Sequence, residues 1–299
     1  VGLQNLSTYS FLKSPTAITD LVTAAKERGY LSLALTDINY TYGLVEFYQA
    51  AKKAGIKPLL GLQEELEGLI LLNQKFRLIF LAKNQNGYQN LLKMSSALSL
   101  KPELATLTAI QPYLEDLIIM MPSTKQGELK AVYEQSPNQI EELVEKLLQL
   151  VPNVADLYFG VYANPFDQYY QNFMKDLAAQ YHLQLVALED VEYLNPEDQF
   201  LKKVLTAVAN NEKLPKPLDL VAGQGSHALM PVAEVTARYQ EFELLPAVEN
   251  TVKIADAIDF ELQFSEPSLP HFPQTQTESS KKYLNQQVVR GLQQIFPHQ

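Results

Sequence analysis

Short apolar runs alternate along the chain with longer stretches in which apolar residues recur every three or four positions. The short runs cover 2–6, 31–35, 57–61, 69–72, 77–82, 117–121, 157–162 and 184–188, and their length and composition suit strands buried on both faces. The longer stretches read as amphipathic helices. Ile18, Leu21, Val22 and Ala25 share one helical face, and Gly29 supplies a stop. Ser136 followed by Pro137 gives a start signal for a helix striped with Ile140, Leu143, Val144, Leu147 and Leu148. Phe166, Tyr169, Tyr170, Phe173, Met174 and Leu177 form an aromatic stripe, read as core packing. Pro246 opens a helix carrying Val248, Val252, Ala255 and Ile258. Repeated strand–helix units imply an α/β fold with parallel strands, because parallel neighbours need crossover connections.

The alternation stops near residue 265. Residues 265–280 (SEPSLPHFPQTQTESS) are rich in Pro, Ser, Thr and Gln and read as a linker. Residues 281–296 are helical again, with Tyr283, Leu284, Val288, Leu292, Ile295 and Phe296 apolar. The expected organisation is a main domain over 1–264, a linker over 265–280, and the truncated start of a second domain over 281–299.

Composition narrows the function classes. The 299 residues are 46% hydrophobic and 19% charged, a balance for soluble globular domains. No apolar run has membrane-spanning length, and no secretory leader is evident. Cysteine is absent, which excludes disulfides and thiolate metal ligation and is consistent with a cytoplasmic setting. A formal net charge of −10 without a dense basic run argues against DNA binding by this segment alone.

The most informative stretch is 31–61, which reads as strand, loop, helix, strand. Asp37 falls where the first of these strands ends, the end at which α/β folds gather ligands. The residues that follow, Ile38, Asn39 and Tyr40, add no second acid, His or Cys. The frame of a site is present with little of its chemistry.

This stretch, LALTDINYTYGLVEFYQAAKKAGIKPLLG, resembles the second motif region of the PHP (polymerase and histidinol phosphatase) domain. More narrowly, it resembles that domain at the N-terminus of bacterial DNA polymerase III alpha subunits. LQNLSTYSFL (3–12), FRLIFLAKNQNGYQNLLKMSS (76–96), LVALEDVEYLNPEDQFLKKVL (185–205), LPAVENTVKIADAIDFEL (245–262) and LPHFPQTQTESSKKYLNQQVVRGL (269–292) follow in the family's order. The resemblance implies a distorted (β/α) barrel of seven units. It also implies a cluster of metal ions, held mostly by His with Asp and Glu, that serves phosphoester hydrolysis.

Position by position, the chain departs from that pattern. The opening HxH falls on Gln4 and Leu6, and the acid of the next loop on Lys13. The TDH motif keeps Thr36 and Asp37 but has Ile38 for its His. The Glu after the third strand is Gln63, the next His is Arg77, and a Cys position falls on Thr124. In the final D-x-H, Asp190 remains and Glu192 replaces the His. Leu6 and Ile38 carry no donor atom, so a cluster of three metals lacks its ligand count. Lys13 and Arg77 are expected to neutralise Asp37, Asp190 or Glu192 in place of metal. The bland alternative makes Asp37 and Asp190 solvated loop acids, and a further one leaves a single-metal site at Asp190 and Glu192.

Other candidates carry less. His182, His227, His271 and His298 match no motif position, and the Gly-rich AGQGSHAL (222–229) lacks the flanking pattern of a phosphate loop. The expected function is a catalytically silent PHP domain, with no metal or cofactor of its own, in a DNA-directed DNA polymerase. The Mg2+-dependent nucleotidyl transfer of that parent protein lies beyond residue 299. The expected partners are the palm and thumb of the same chain and replisome proteins, with DNA reached only through the parent protein and no membrane contact. The competing readings are an active phosphoesterase, either a 3′–5′ proofreading exonuclease or a histidinol-phosphatase-like enzyme, and an anion-binding module using Lys13 and Arg77.

Overall fold

Six strands form one sheet in the order β1-β2-β3-β4-β5-β6 in a computed structural model that describes residues 1–214, 227–264 and 279–296. They are β1 (Ser32–Leu35), β2 (Lys57–Glu67), β3 (Lys75–Ala82), β4 (Leu117–Met121), β5 (Leu157–Val161) and β6 (Gln184–Ala187). The main helices are α1 (Ile18–Glu27), α2 (Leu44–Ala54), α3 (Gln85–Leu100), α4 (Leu107–Ile110), α5 (Glu128–Gln135), α6 (Ile140–Leu150), α7 (Gln168–Gln180), α8 (Gln199–Asn210), α9 (Val232–Glu241), α10 (Leu245–Ala257) and α11 (Ser280–Ile295). The chain groups into two units, Val1–Glu261 and Leu262–Gln299.

The expectation of an all-parallel sheet is corrected at its centre. β1–β2, β4–β5 and β5–β6 are parallel, but β2–β3 and β3–β4 are antiparallel. Residues 69–72, expected as a strand, lie in the β2–β3 connection instead. The buried Glu128 carboxylate accepts hydrogen bonds from the N–H groups of Leu69, Ile70 and Leu71 at 2.8, 2.7 and 3.0 Å. Those donors are thereby satisfied without a strand partner, which is why an apolar run can leave the sheet.

Segment 2–6 is bound through isolated bridges, Gly2 to Leu33 beside β1 and Asn5 to Val191 beyond β6. Leu6 N–H donates to the Val191 carbonyl at 2.9 Å and Thr36 N–H to the Asn5 carbonyl at 3.0 Å. The segment therefore connects the two ends of a curled sheet.

Two apolar layers flank that sheet. The first joins Leu62, Leu66, Phe80, Ile119 and Phe159 to α3, α5, α6 and α7. The second lines the concave face with Ala34, Leu59, Ile79, Leu81, Met120 and Val186, against Leu3 and against Ile254 and Ala255 of α10. Along β2 the concave series continues from Leu59 through Gly61 to Gln63 and Glu65, as the two-residue strand period requires. The apolar core thus gives way to polar groups at one end of the curl. Because β3 is antiparallel, its N-terminal end brings Arg77 to that same end.

The aromatic stripe divides. Tyr170, Met174 and Leu177 are buried, whereas Phe166 and Tyr169 are 76% and 89% exposed and lie outside the core. The helix after Ser136 begins as a 3-10 turn, Pro137–Gln139, before α6. Residues 265–278 of the expected linker lie outside the described residues, as do His271 and His298.

Candidate functional site

Asp37 follows β1 and is 1% exposed. One carboxylate oxygen accepts from the Ser7 N–H at 2.7 Å and the Ser10 hydroxyl at 2.6 Å, and the other accepts from the Ser7 hydroxyl at 2.7 Å. Burial raises its pKa above the usual aspartate value, and the Ser10 and Ser7 hydrogen bonds oppose that rise. Its neighbours Leu6 and Ile38 are buried hydrocarbon. The Ile38 N–H donates to the Ser10 hydroxyl oxygen at 3.0 Å, so Ser10 holds both the acid and the backbone beside it. Asn39 then takes a left-handed conformation, φ 64°.

Asp190 follows β6, is buried, and also has a left-handed backbone, φ 48°. Non-glycine residues adopt that conformation at a cost that the surroundings must offset. Its Oδ1 accepts from Gln4 Nε2 at 2.9 Å and its Oδ2 from Gln126 Nε2 at 3.1 Å. Gln4 Nε2 also reaches Gln63 Oε1 at 3.3 Å, and Gln63 Nε2 donates to the Thr36 carbonyl at 3.0 Å. The amides at positions 4 and 63 therefore link the β1 and β6 ends directly. Asp37 and Asp190 are not the solvated loop acids of the bland alternative; both are buried and bonded.

The expected cations do different work. Arg77 donates from Nε and Nη2 to Glu65 Oε1, 3.2 Å each, and from Nη1 to Gln126 Oε1 at 2.6 Å. Glu65 and Arg77 face each other across the β2–β3 ladder, which settles this pairing. Among the described residues, Arg77 reaches Asp190 through the Gln126 amide. Lys13 is exposed, and no ion pair among the described residues joins it to Asp37, Asp190 or Glu192. Its carbonyl accepts from Lys202 Nζ at 2.6 Å.

Lys202, on α8, is the cation that meets the site: its Nζ lies 2.8 Å from Glu192 Oε2, with both side chains largely buried. His227 is the second residue that motif reasoning missed. Its Nδ1 sits 3.0 Å from the Asp190 carbonyl and 3.4 Å from Asp190 Oδ2. Burial lowers the imidazole pKa, but the hydrogen bonds and charge of Asp190 and the charge of Glu192 outweigh it and push the value up to about 9. Asp190, Glu192 and His227 offer ligand atoms within 4.8 Å of one another. Thr124 accepts from the Gln126 N–H at 3.4 Å on the wall of a groove of about 790 Å³ that Asp190 and His227 also line. In sequence, Lys202 falls at none of the motif positions, and His227 lies beside residues 222–226, which are outside the described residues.

The arrangement can be set against known proteins. A family model described as PHP domain matches residues 3–161, more than half of the chain. The chain belongs to the PHP family. The DNA polymerase III subunit alpha of Bacillus subtilis (strain 168) is 30% identical to this PHP chain over 303 residues, covering 99% of the chain and 26% of that relative. That of Halalkalibacterium halodurans is 27% identical over 294 residues, covering 97% and 25%. The chain therefore spans about a quarter of the length of these curated relatives. A solved two-domain protein from Bacteroides vulgatus, containing a predicted PHP-like metal-dependent phosphoesterase, aligns with TM-score 0.40 and 9% identity over 86% of this chain and 68% of that one. No helix among the described residues is long and apolar enough to cross a membrane.

Proposed function

We propose that this chain is the N-terminal PHP part of a replicative DNA polymerase III alpha subunit, and that it acts as a scaffold rather than a phosphoesterase. The observation that carries this reading is the β1 corner. Asp37 has three hydrogen-bond donors on its oxygens, and Leu6 and Ile38 put hydrocarbon where the family places imidazoles. These residues do not fit a multi-metal cluster, since hydrocarbon cannot ligate and the remaining acid is already satisfied. Gln4, Gln63 and Gln126 span the cavity with neutral amides.

In this reading, segment 2–6 counts as the seventh strand of the distorted barrel. Residues 1–264 are the PHP domain, 265–280 a linker, and 281–299 the start of the palm region. The nucleotidyl transfer, its Mg2+ and its DNA contacts belong to the parent polymerase, in the cytoplasm. The domain docks on the palm and thumb of that protein and on replisome partners. One feature supports docking beyond residue 280: the α11 residues Leu284, Val288, Leu292 and Ile295 are exposed.

An assay for release of nucleotides or phosphate from DNA ends and small phosphomonoesters, with Mn2+ or Zn2+ added, tests the proposal. No turnover above background is expected. Turnover abolished by Asp190→Asn would contradict it.

A further inference from the structure

We propose that Lys202 is a built-in stand-in for a divalent cation, and that removing its ammonium turns Asp190, Glu192 and His227 into a working site for one Mn2+ or Zn2+ ion. The inference rests on the scaffold reading above and deepens it, because it says what keeps metal out of the surviving acids.

Three observations carry it. The Lys202 ammonium is 2.8 Å from Glu192 Oε2, in the direct contact a metal would otherwise make, and the side chains are only 18% and 10% exposed. The ammonium is also fixed from a second side by the Lys13 carbonyl at 2.6 Å. The loop that brings an acid in the family pattern thus brings a backbone oxygen suited to an ammonium. Finally, the three remaining groups already converge, with ligand atoms within 4.8 Å of one another. Two ligands on one tetrahedral Zn2+ lie about 3.4 Å apart, so the side chains must draw together by about an ångström.

The donor set is two carboxylates and an imidazole, which suits Zn2+ or Mn2+ once His227 releases its proton to solvent, and it leaves a coordination position open. With Lys202 in place, a divalent ion must displace a half-buried, doubly bonded ammonium and meet its repulsion. Without it, Glu192 is left as an uncompensated buried carboxylate, and the ion relieves that burden.

The test compares the full chain with Lys202→Met and Lys202→Gln, the second of which keeps a hydrogen-bond donor for Glu192. Calorimetric titration with MnCl2 and ZnCl2 and thermal melts with and without metal supply the readouts. Each folded variant is expected to bind one equivalent at least about tenfold more tightly than the parent chain, and to gain about 3 °C or more in Tm at saturating metal. Adding His227→Ala to either variant is expected to remove that gain. Folded variants that bind no better than the parent overturn the assignment of Lys202 and leave the scaffold reading standing. Variants that stay unfolded in the presence of Mn2+ and Zn2+ count against the assignment as well. Tight stoichiometric binding by the parent chain overturns both.

Discussion

The two strand ends that carry Asp37 and Asp190 accommodate their buried acids in different ways. At the β1 end, Asp37 is surrounded by hydroxyls and hydrocarbon, and among the described residues its oxygens accept hydrogen bonds from Ser7 and Ser10 and form no ion pair. At the β6 end, Asp190 and Glu192 keep ionic partners in His227 and Lys202. A buried carboxylate must be hydrogen-bonded, neutralised or protonated. The first corner uses hydrogen bonds and an upward pKa shift, and the second uses counter-charges. The difference teaches that two buried acids at one end of a sheet need not be stabilised alike, because each meets the same electrostatic demand with whatever its own loop offers.

Removing both hydroxyls of the β1 corner should have the largest effect. The double variant Ser7→Ala, Ser10→Ala takes away two hydrogen bonds to a buried carboxylate, each contributing about 1.5–3 kcal/mol, so unfolding in urea should show a loss of about 3 kcal/mol. That loss should be insensitive to salt, whereas the loss for His227→Gln, whose side chain is 39% exposed, should shrink as salt is added. A β1 loss below about 1 kcal/mol would remove the distinction between the corners.

Arg77→Met comes next, at about 2 kcal/mol. It breaks a largely buried pair, but Glu65 keeps a third of its side chain in solvent and the figure is discounted accordingly. Because Arg77 reaches Asp190 through Gln126, Gln126→Leu should abolish most of the coupling between positions 77 and 190 in a double-mutant cycle. Undiminished coupling would show a direct route.

The two corners should also separate by pH. His227 has a folded pKa of about 9 against 6.5 for the free group, so its contribution is complete below pH 6.5 and is lost as pH rises to about 9. Its side chain is 39% exposed, and screening keeps the loss to about 1 kcal/mol. Asp37 is shifted upward too, so its limb falls on the acid side, starting above pH 3.8. Glu64 adds a limb of its own between 4.5 and about 8, because burial and the Glu65 charge raise its pKa. Stability profiles are therefore best measured in a Glu64→Gln background, where His227→Gln should flatten the alkaline limb and Asp37→Asn the acid one. A profile unchanged by His227→Gln would contradict the ionic account of the β6 corner.

The smallest effect belongs to Lys13→Ala, expected within about 0.5 kcal/mol by thermal unfolding, since its side chain is exposed and its backbone carbonyl remains. A loss comparable to that of Arg77→Met would restore Lys13 as a neutralising cation.

Much of this was legible in the sequence, and the failures share a cause. The strand ahead of Asp37 and the helix after it follow from local periodicity. The partner of Arg77 does not, because it depends on an antiparallel register that places Glu65 opposite, and the apolar run 69–72 gave no hint of the hairpin connection. Lys202 and His227 reach Glu192 and Asp190 from helix α8 and from a segment with no motif, so only the folded chain brings them together. Ser7 and Ser10 were visible in LSTYS, but nothing in that string says that both side chains turn toward one acid.

The most direct test is a crystal structure of the chain grown with MnCl2 and with ZnCl2, with data collected at each metal's absorption edge. The account predicts no anomalous peak between Asp37, Asp190 and Glu192, with Ser7 and Ser10 on Asp37 and Lys202 on Glu192. A peak at full occupancy bound to Asp37 or Asp190 would contradict it.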